Sequence, residues 1–417
     1  MVRLKPFRAL RPAPGLEERI AALPYDVYDR KEAREAALRE PMSFLNIDRP
    51  ETQFPEGYDM YAPEVYEKAR ELLMQEKDQG LYLQDDKECF YLYELTMDGR
   101  SQTGIVACAF VDDYLGGSIK KHENTRADKE LDRIRHVDAC GAQTGPIFLA
   151  YRNREETAAV AAKIREQAPV FDFTSEDGIR HRGWIISGTE DIEAIRGAFM
   201  DMDSVYIADG HHRAASAVRT ALARRERAGG ARTEADWFLS VLFPDDELKI
   251  MDYNRVVKDL NGMNPEQFMR RIGQKCDITE EKDPVRPSRK GEMGMYLSGK
   301  WYRVSFNSSL QNDDPVEGLD VSILQNEILQ PLLGIEDPRT DDRIRFSGGI
   351  RGLKELERLV DGGWAAAFSM YPTSIGELFA VADAGMLMPP KSTWFEPKLR
   401  SGLFIHLFDP AQGEDAH

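Results

Sequence analysis

Cysteine is scarce in this chain of 417 residues. The four present, Cys89, Cys108, Cys140 and Cys276, have neither the paired spacing of a zinc site nor the density of a disulfide framework. A reducing compartment follows, and the cytoplasm is the expected location. Long apolar runs are also missing: no window approaches the roughly 18 consecutive apolar residues of a membrane span, so no membrane partner is expected. Residues 1–8 are basic, but no signal-peptide core stands behind them, and export by that route is not expected. The sequon Asn307-Ser308-Ser309 is then a chance match. Positive charge is in deficit, with 55 Lys and Arg against 72 Asp and Glu and a net charge of −17. Such a chain repels a polyanion unless its cations gather on one face, so nucleic acid is not an expected partner. There is no internal repeat and no low-complexity segment.

The length exceeds one ordinary hydrophobic core and suggests more than one domain. Residues 1–95 begin with a stretch broken by Pro6, Pro12, Pro14 and Pro24, followed by helical patterns over 30–39 and 63–76. Strands are expected at 89–96 and 103–111 around a turn at 97–100, which makes a hairpin. Further strands at 146–151, 205–208 and 237–243 alternate with helices at 155–166 and 212–225, the signature of an α/β core spanning residues 96–250. Beyond residue 250 the pattern changes. A helix at 263–273, a hairpin over 293–306 and amphipathic helices at 321–333 and 352–360 predict a C-terminal α+β domain over 251–417, and the polar run 277–290 reads as a loop or linker.

The most informative stretch is 205–213, where Val-Tyr-Ile-Ala ends in Asp209-Gly210-His211-His212-Arg213 and opens a helix. A helix start offers uncompensated N–H groups and the positive end of the dipole, and Arg213 adds a fork-shaped cation suited to phosphate oxygens. Gly210 lets backbone approach a ligand. Asp209 at the strand end can cap the helix, hold a metal ion or take a proton, and as a plain N-cap it would need no ligand. The chain has only seven histidines, and His211 and His212 cannot both face a core from one helix.

Two more polar clusters stand out. Residues 120–126 carry Lys120, Lys121, His122, Glu123, Asn124, Thr125 and Arg126 ahead of a helical pattern at 127–137. Arg126 stands where a zinc protease needs its second histidine, which excludes that chemistry. Glu123 can take a proton from a hydroxyl, and the cations can neutralise phosphate, although charge runs are also ordinary solvated loops. Near the end, Lys391, Ser392, Thr393 and Lys398 present cations and hydroxyls of the kind that hold phosphates, without the glycines of a Walker loop. That segment reads equally well as a proline-stiffened loop packing Trp394 and Phe395.

Taken in order, Lys5-Pro6-Phe7 to Leu10, Pro24-Tyr25-Asp26-Val27, Ser43-Phe44-Leu45, Arg49-Pro50-Glu51, the 121–125 cluster, the 208–213 turn and Met388-Pro389-Pro390-Lys391-Ser392-Thr393 resemble a bacterial and archaeal family known as domain of unknown function 1015. The resemblance spans essentially the whole chain. Its central region also resembles free L-serine kinases, which implies a mixed α/β core of the ParB/sulfiredoxin-like fold with an N-terminal extension and a C-terminal α+β domain. That second resemblance implies Glu123 as catalytic base, Asp209 as a second catalytic or magnesium-linked carboxylate, and Gly210, His211, His212 and Arg213 as binders of nucleotide phosphates. Lys391, Ser392 and Thr393 join them as candidate phosphate contacts, and His122, Asn124, Thr125 and Arg126 as candidate substrate contacts. Sulfiredoxins carry a cysteine where His211 stands, so their thiol chemistry is excluded.

The expected activity is transfer of the γ-phosphate of ATP, or another nucleoside triphosphate, with Mg2+, to the hydroxyl of free L-serine or a similar small alcohol. The competing expectation is a nucleotide-binding regulatory protein that transfers nothing. The sequence assigns no role to Tyr25, Asp26, Arg49 and Glu51, and it does not exclude a homo-oligomer.

Overall fold

In a computed structural model the chain is described over residues 1–409 and divides into two compact units. One comprises Met1–Leu248 together with residues 397–409, and the other is Lys249–Glu396. The expected mixed α/β architecture is present. No helix among the described residues is long and apolar enough to cross a membrane.

The first unit is organised around a nine-stranded sheet. Its strands are β1 (Leu4–Lys5), β2 (Phe90–Met97), β3 (Arg100–Phe110), β4 (Ile119–Lys120), β5 (Ile147–Tyr151), β6 (Phe171–Thr174), β7 (Arg180–Ile186), β8 (Val205–Asp209) and β9 (Trp237–Pro244). They lie in the order β4-β8-β5-β9-β3-β2-β7-β6, with β1 added against β3. The β4–β8 and β5–β9 pairs are parallel and the other pairs antiparallel. Leu92, Ile105, Leu149, Trp184, Phe199, Ile207 and Phe238 belong to its main core. A smaller core gathers Leu10, Ile20, Phe44, Ile47, Leu73, Tyr82 and Ile405, so N-terminal residues and the returning segment pack together.

Two helices position the site, α1 (Ala127–Cys140) and α2 (His211–Arg227). The buried face of α2 is built from Ala214, Ala215, Ser216, Ala217, Val218 and Ala221. Small, helix-favouring residues let α1 approach closely, and Ser216 Oγ donates to the Glu130 carbonyl of α1 at 3.1 Å.

The second unit carries a fully antiparallel six-stranded sheet of β10 (Tyr253–Val257), β11 (Cys276–Glu281), β12 (Glu292–Leu297), β13 (Lys300–Phe306), β14 (Ile344–Gly348) and β15 (Ala366–Met370), in the order β11-β13-β12-β15-β10-β14. The reading of 277–290 as loop or linker needs correction, because β11 occupies its first part. Asp277, Thr279 and Glu280 are polar because β11 lies at the sheet edge, while Cys276 turns into the core. The helix expected over 321–333 forms in three pieces: Asp320–Leu324, a π-turn over Gln325–Leu329, and Gln330–Leu333. Pro331 has no N–H for the ordinary helical bond, and the widened turn forms just ahead of it, with Gln330 N reaching back to the Gln325 carbonyl.

Candidate functional site: the 209–213 turn

The turn at the end of β8 is shaped by two local devices. A bulge interrupts the β8–β5 register between Ile207 and Asp209, so Ala208 has no partner and the Asp209 side chain is re-aimed at the strand end. Gly210 then adopts φ +92° and serves as the N-cap of α2, with no side-chain cap. Asp209 is therefore not the capping residue. Its Oδ2 accepts from Arg213 Nη2 at 2.9 Å, and Lys398 Nζ lies 3.4 Å from Oδ1. Burial acts to raise the Asp209 pKa, but Lys398 and Arg213 outweigh it and hold the carboxyl at about 2.

Arg213 is largely enclosed, its side chain 10% exposed, and its Nη1 donates to the Pro146 carbonyl at 2.5 Å. The guanidinium thus straps α2 to the start of β5. Behind it lies a cavity of about 30 Å³, lined by Tyr25, Asp48, Arg133, Thr144 and Ser401 among others, with room for one or two water molecules.

The parallel pairing of β4 with β8, Ile119 opposite Val205 and Lys120 opposite Tyr206, carries the 120–126 cluster to the same end of the sheet. The His122 and His211 rings meet edge to face with centroids 4.5 Å apart, and the His122 backbone N–H points at His211 Nε2 at 3.5 Å. The Arg126 backbone N–H donates to His212 Nε2 at 3.0 Å. Both ring nitrogens act as acceptors, so each imidazole is neutral with its proton on Nδ1. His211 Nδ1 lies 3.9 Å from Glu123 Oε2, and the Glu123 side chain is 61% exposed. Burial pulls His122 down to about 4 and holds His211 well below its ordinary range. His122 is 2% exposed and its Nδ1 has no hydrogen-bond partner, an unsatisfied donor or acceptor immediately beside the turn.

The remaining candidates separate. Thr125 Oγ1 is held by Glu130 Oε1, which ties it to α1, while Asn124 and Arg126 are exposed. Lys391, Ser392 and Thr393 belong to the second unit. There Ser392 Oγ donates to the Pro389 carbonyl at 2.6 Å, Thr373 Oγ1 donates to the Ser392 carbonyl at 3.1 Å, and Lys391 sits in left-handed conformation at φ +56°. Lys398 is the residue of that last cluster that reaches Asp209.

Of the residues that the sequence left without roles, Arg49 and Glu51 are buried, Tyr25 is half-buried and Asp26 is exposed. Arg49 pairs with Glu51 at 2.6 Å and donates from Nη1 to the carbonyls of Tyr25 and Tyr28 at 2.9 and 2.8 Å. Arg133 of α1 stacks over the Tyr25 ring at 4.1 Å. These residues wall a cavity of about 240 Å³ that also carries Asp26, Lys129 and Asp132. Tyr25 and Arg133 line both this cavity and the small one behind Arg213, so the cavity adjoins the 209–213 turn. No group of three or more His, Cys, Asp or Glu able to hold a metal occurs among the described residues.

What these features define is a mixed α/β protein whose polar site lies at a strand–turn–helix junction. The chain belongs to the family described as Protein of unknown function (DUF1015), whose model matches residues 4–322. No curated protein sequence matches it. Among solved structures it is similar to a free serine kinase in complex with AMP, at 16% identity and a TM-score of 0.34, over 72% of this chain and 91% of that one. It is also similar to a conserved hypothetical protein from Pyrococcus furiosus, at 17% identity and a TM-score of 0.32, over 73% of this chain and 95% of that one. A third is a C-terminally truncated SbnI from Staphylococcus aureus, at 12% identity and a TM-score of 0.35, over 72% of this chain and 87% of that one.

Proposed function

We propose that the protein is a small-molecule kinase that phosphorylates the hydroxyl of free L-serine from a nucleoside triphosphate. The observation that carries this reading is the β4–β8 pairing, which sets a solvent-reachable carboxylate, Glu123, beside a helix start with no side-chain cap. Phosphoryl transfer asks for positioned phosphates, charge neutralisation and a base at the attacking hydroxyl. In this reading the first N–H groups of α2 take the terminal phosphates. Glu123 accepts the serine hydroxyl proton, the serine oxygen bonds to the γ-phosphorus, and the bond from that phosphorus to the bridging oxygen breaks, releasing nucleoside diphosphate. The neutral His211 ring lies next to Glu123, its Nδ1 3.9 Å from Oε2, which is beyond hydrogen-bond length.

An amino-acid acceptor suits the cavity walled by Tyr25, Arg49 and Arg133, whose groups of both charges match a zwitterion. Magnesium would accompany the triphosphate. The turn offers it only Asp209, a carboxylate already held by two cations, so the donor set does not fit a protein-held ion and no step is assigned to the metal.

Purified protein with ATP, Mg2+ and L-serine should form O-phosphoserine and nucleoside diphosphate in equal amounts. Glu123→Gln should abolish this with an unchanged melting temperature, since the side chain is mostly exposed. Turnover equal to that of the unaltered protein would remove the base assignment. Nucleotide binding without acceptor-dependent consumption, across a panel of small alcohols, would favour the regulatory alternative.

A further inference from the structure

The second unit holds a cavity of about 320 Å³ that none of the chemistry above uses. It lies between the face of the sheet that carries Arg255 and the broken helix 320–333. Its wall includes Arg255 on β10, Gln325 and Leu329 at the two ends of the π-turn, Ile344 and Phe346 on β14, and Pro390, with the exposed Glu336 and with Asp337, which is paired with Arg339, as its acidic members.

Arg255 is the unusual member. It is 3% exposed on a central strand, yet it makes no ion pair among the described residues. Its Nη1 donates to the Tyr253 carbonyl and its Nη2 to the Lys391 carbonyl, the latter at 3.2 Å, and its guanidinium stands 5.6 Å from the Phe346 ring centroid. Two of the five guanidinium N–H donors are thereby used, and the others have no partner among the described residues. A buried cation ordinarily has an anionic partner, because desolvating an unpaired charge is costly. Burial with no carboxylate to offset it pulls even this guanidinium down to about 10. The surroundings repeat the signs of a built site. Gln325 Oε1 is buried without a partner while its Nε2 is fixed on the Ile335 carbonyl at 2.7 Å. The wall also includes a π-turn, a form that recurs at functional sites.

We propose that this cavity binds a small organic anion, with its oxyanion on Arg255 and its apolar body against Leu329, Ile344, Phe346 and Pro390. The size is that of a small-ligand pocket. The Met388-to-Thr393 motif then has a physical role in this unit: its backbone, held by Arg255 at Lys391 and by the Ser392 hydroxyl at Pro389, closes one wall.

The test is calorimetric titration of the full chain with three probes of one shape: benzoate, phenyl phosphate and the neutral benzamide. At least one anion should bind saturably and at least tenfold more tightly than benzamide, and the preferred anion separates a carboxylate ligand from a phosphate ester. Arg255→Met should reduce that binding at least tenfold, and Glu123→Gln should leave it unchanged. Benzamide binding as well as both anions, or no binding by either anion, overturns the proposal even if Arg255→Met does not fold. Undiminished anion binding by a folded Arg255→Met protein overturns it as well, and so does loss of binding in Glu123→Gln.

Discussion

Gly210 is where a single methyl group should report on the whole turn. At φ +92° an added Cβ would sit 3.0 Å from Arg213 Nε and 3.1 Å from its guanidinium carbon. Two penalties result. A residue with Cβ in the left-handed region costs about 1–2 kcal/mol, offset by up to about 1 kcal/mol from the stiffer unfolded chain. Displacing the guanidinium weakens its charged hydrogen bonds to Asp209 and the Pro146 carbonyl, contacts of a class worth about 1.5–3 kcal/mol. Gly210→Ala should therefore destabilise the first unit by about 2–3 kcal/mol. In an Arg213→Ala background the same change should cost only about 1 kcal/mol, because the group it strikes is gone. Urea unfolding of the four proteins, with amide exchange across residues 205–221 as the local readout, measures the coupling. Equal costs in both backgrounds would refute the packing of Arg213 over Gly210. No cost in either would refute the left-handed turn.

Three further outcomes are expected. His122 titrates near 6.5 when unfolded and near 4 when buried, so the unfolded chain binds the extra proton between these values; the stability it contributes is full above pH 6.5 and falls by about 2 kcal/mol between pH 7.5 and pH 5. Urea midpoints across that range should fall less steeply in His122→Gln, and a parallel slope would count against the buried neutral ring. Arg49→Met leaves Glu51 buried at 3% exposure without its cation and frees the Tyr25 and Tyr28 carbonyls, so unfolding should be easier by about 3–5 kcal/mol; a loss below 1 kcal/mol would mean that the assembly is not closed. Lys398→Met should cost under about 1 kcal/mol, because its contact with Asp209 is 3.4 Å long and partly exposed, while raising the Asp209 pKa, which carboxyl NMR reads directly; an unmoved pKa would separate Lys398 from the turn.

How much of this was legible in the sequence depended on how local the cause was. The β8–α2 junction announced itself, since an apolar run, Asp-Gly and an alanine-rich helix are all short-range signals. The edge strand β11 did not: its outward residues are as polar as a loop, and only pairing with β13 identifies it. Lys398 was visible as a cation near the end of the chain, but its meeting with Asp209, 189 residues away, is a product of topology. Arg49 was harder still. It recognises backbone carbonyls of Tyr25 and Tyr28, and a carbonyl carries no residue identity for a sequence pattern to hold.

The charge distribution around the turn bears on what kind of anion it can receive. The chain as a whole carries −17 and repels extended polyanions. Around the turn the balance is closer to even: Lys121, Arg126, Lys129, Arg213 and Lys398 stand with Asp26, Glu123, Glu130 and Asp209, and the histidines are neutral. Any local excess of positive charge acts only at short range, since beyond about 10 Å at ordinary salt the screening and the acidic surface prevail. A small anion that fits against the helix start gains from it, whereas a nucleic-acid backbone laid across the surface does not. The same balance explains why Arg213 can be occupied with Asp209 and Pro146 without making the turn unfit for phosphate. In the proposed kinase reading its cation would still count electrostatically, while the first N–H groups of α2 would supply the hydrogen bonds to phosphate.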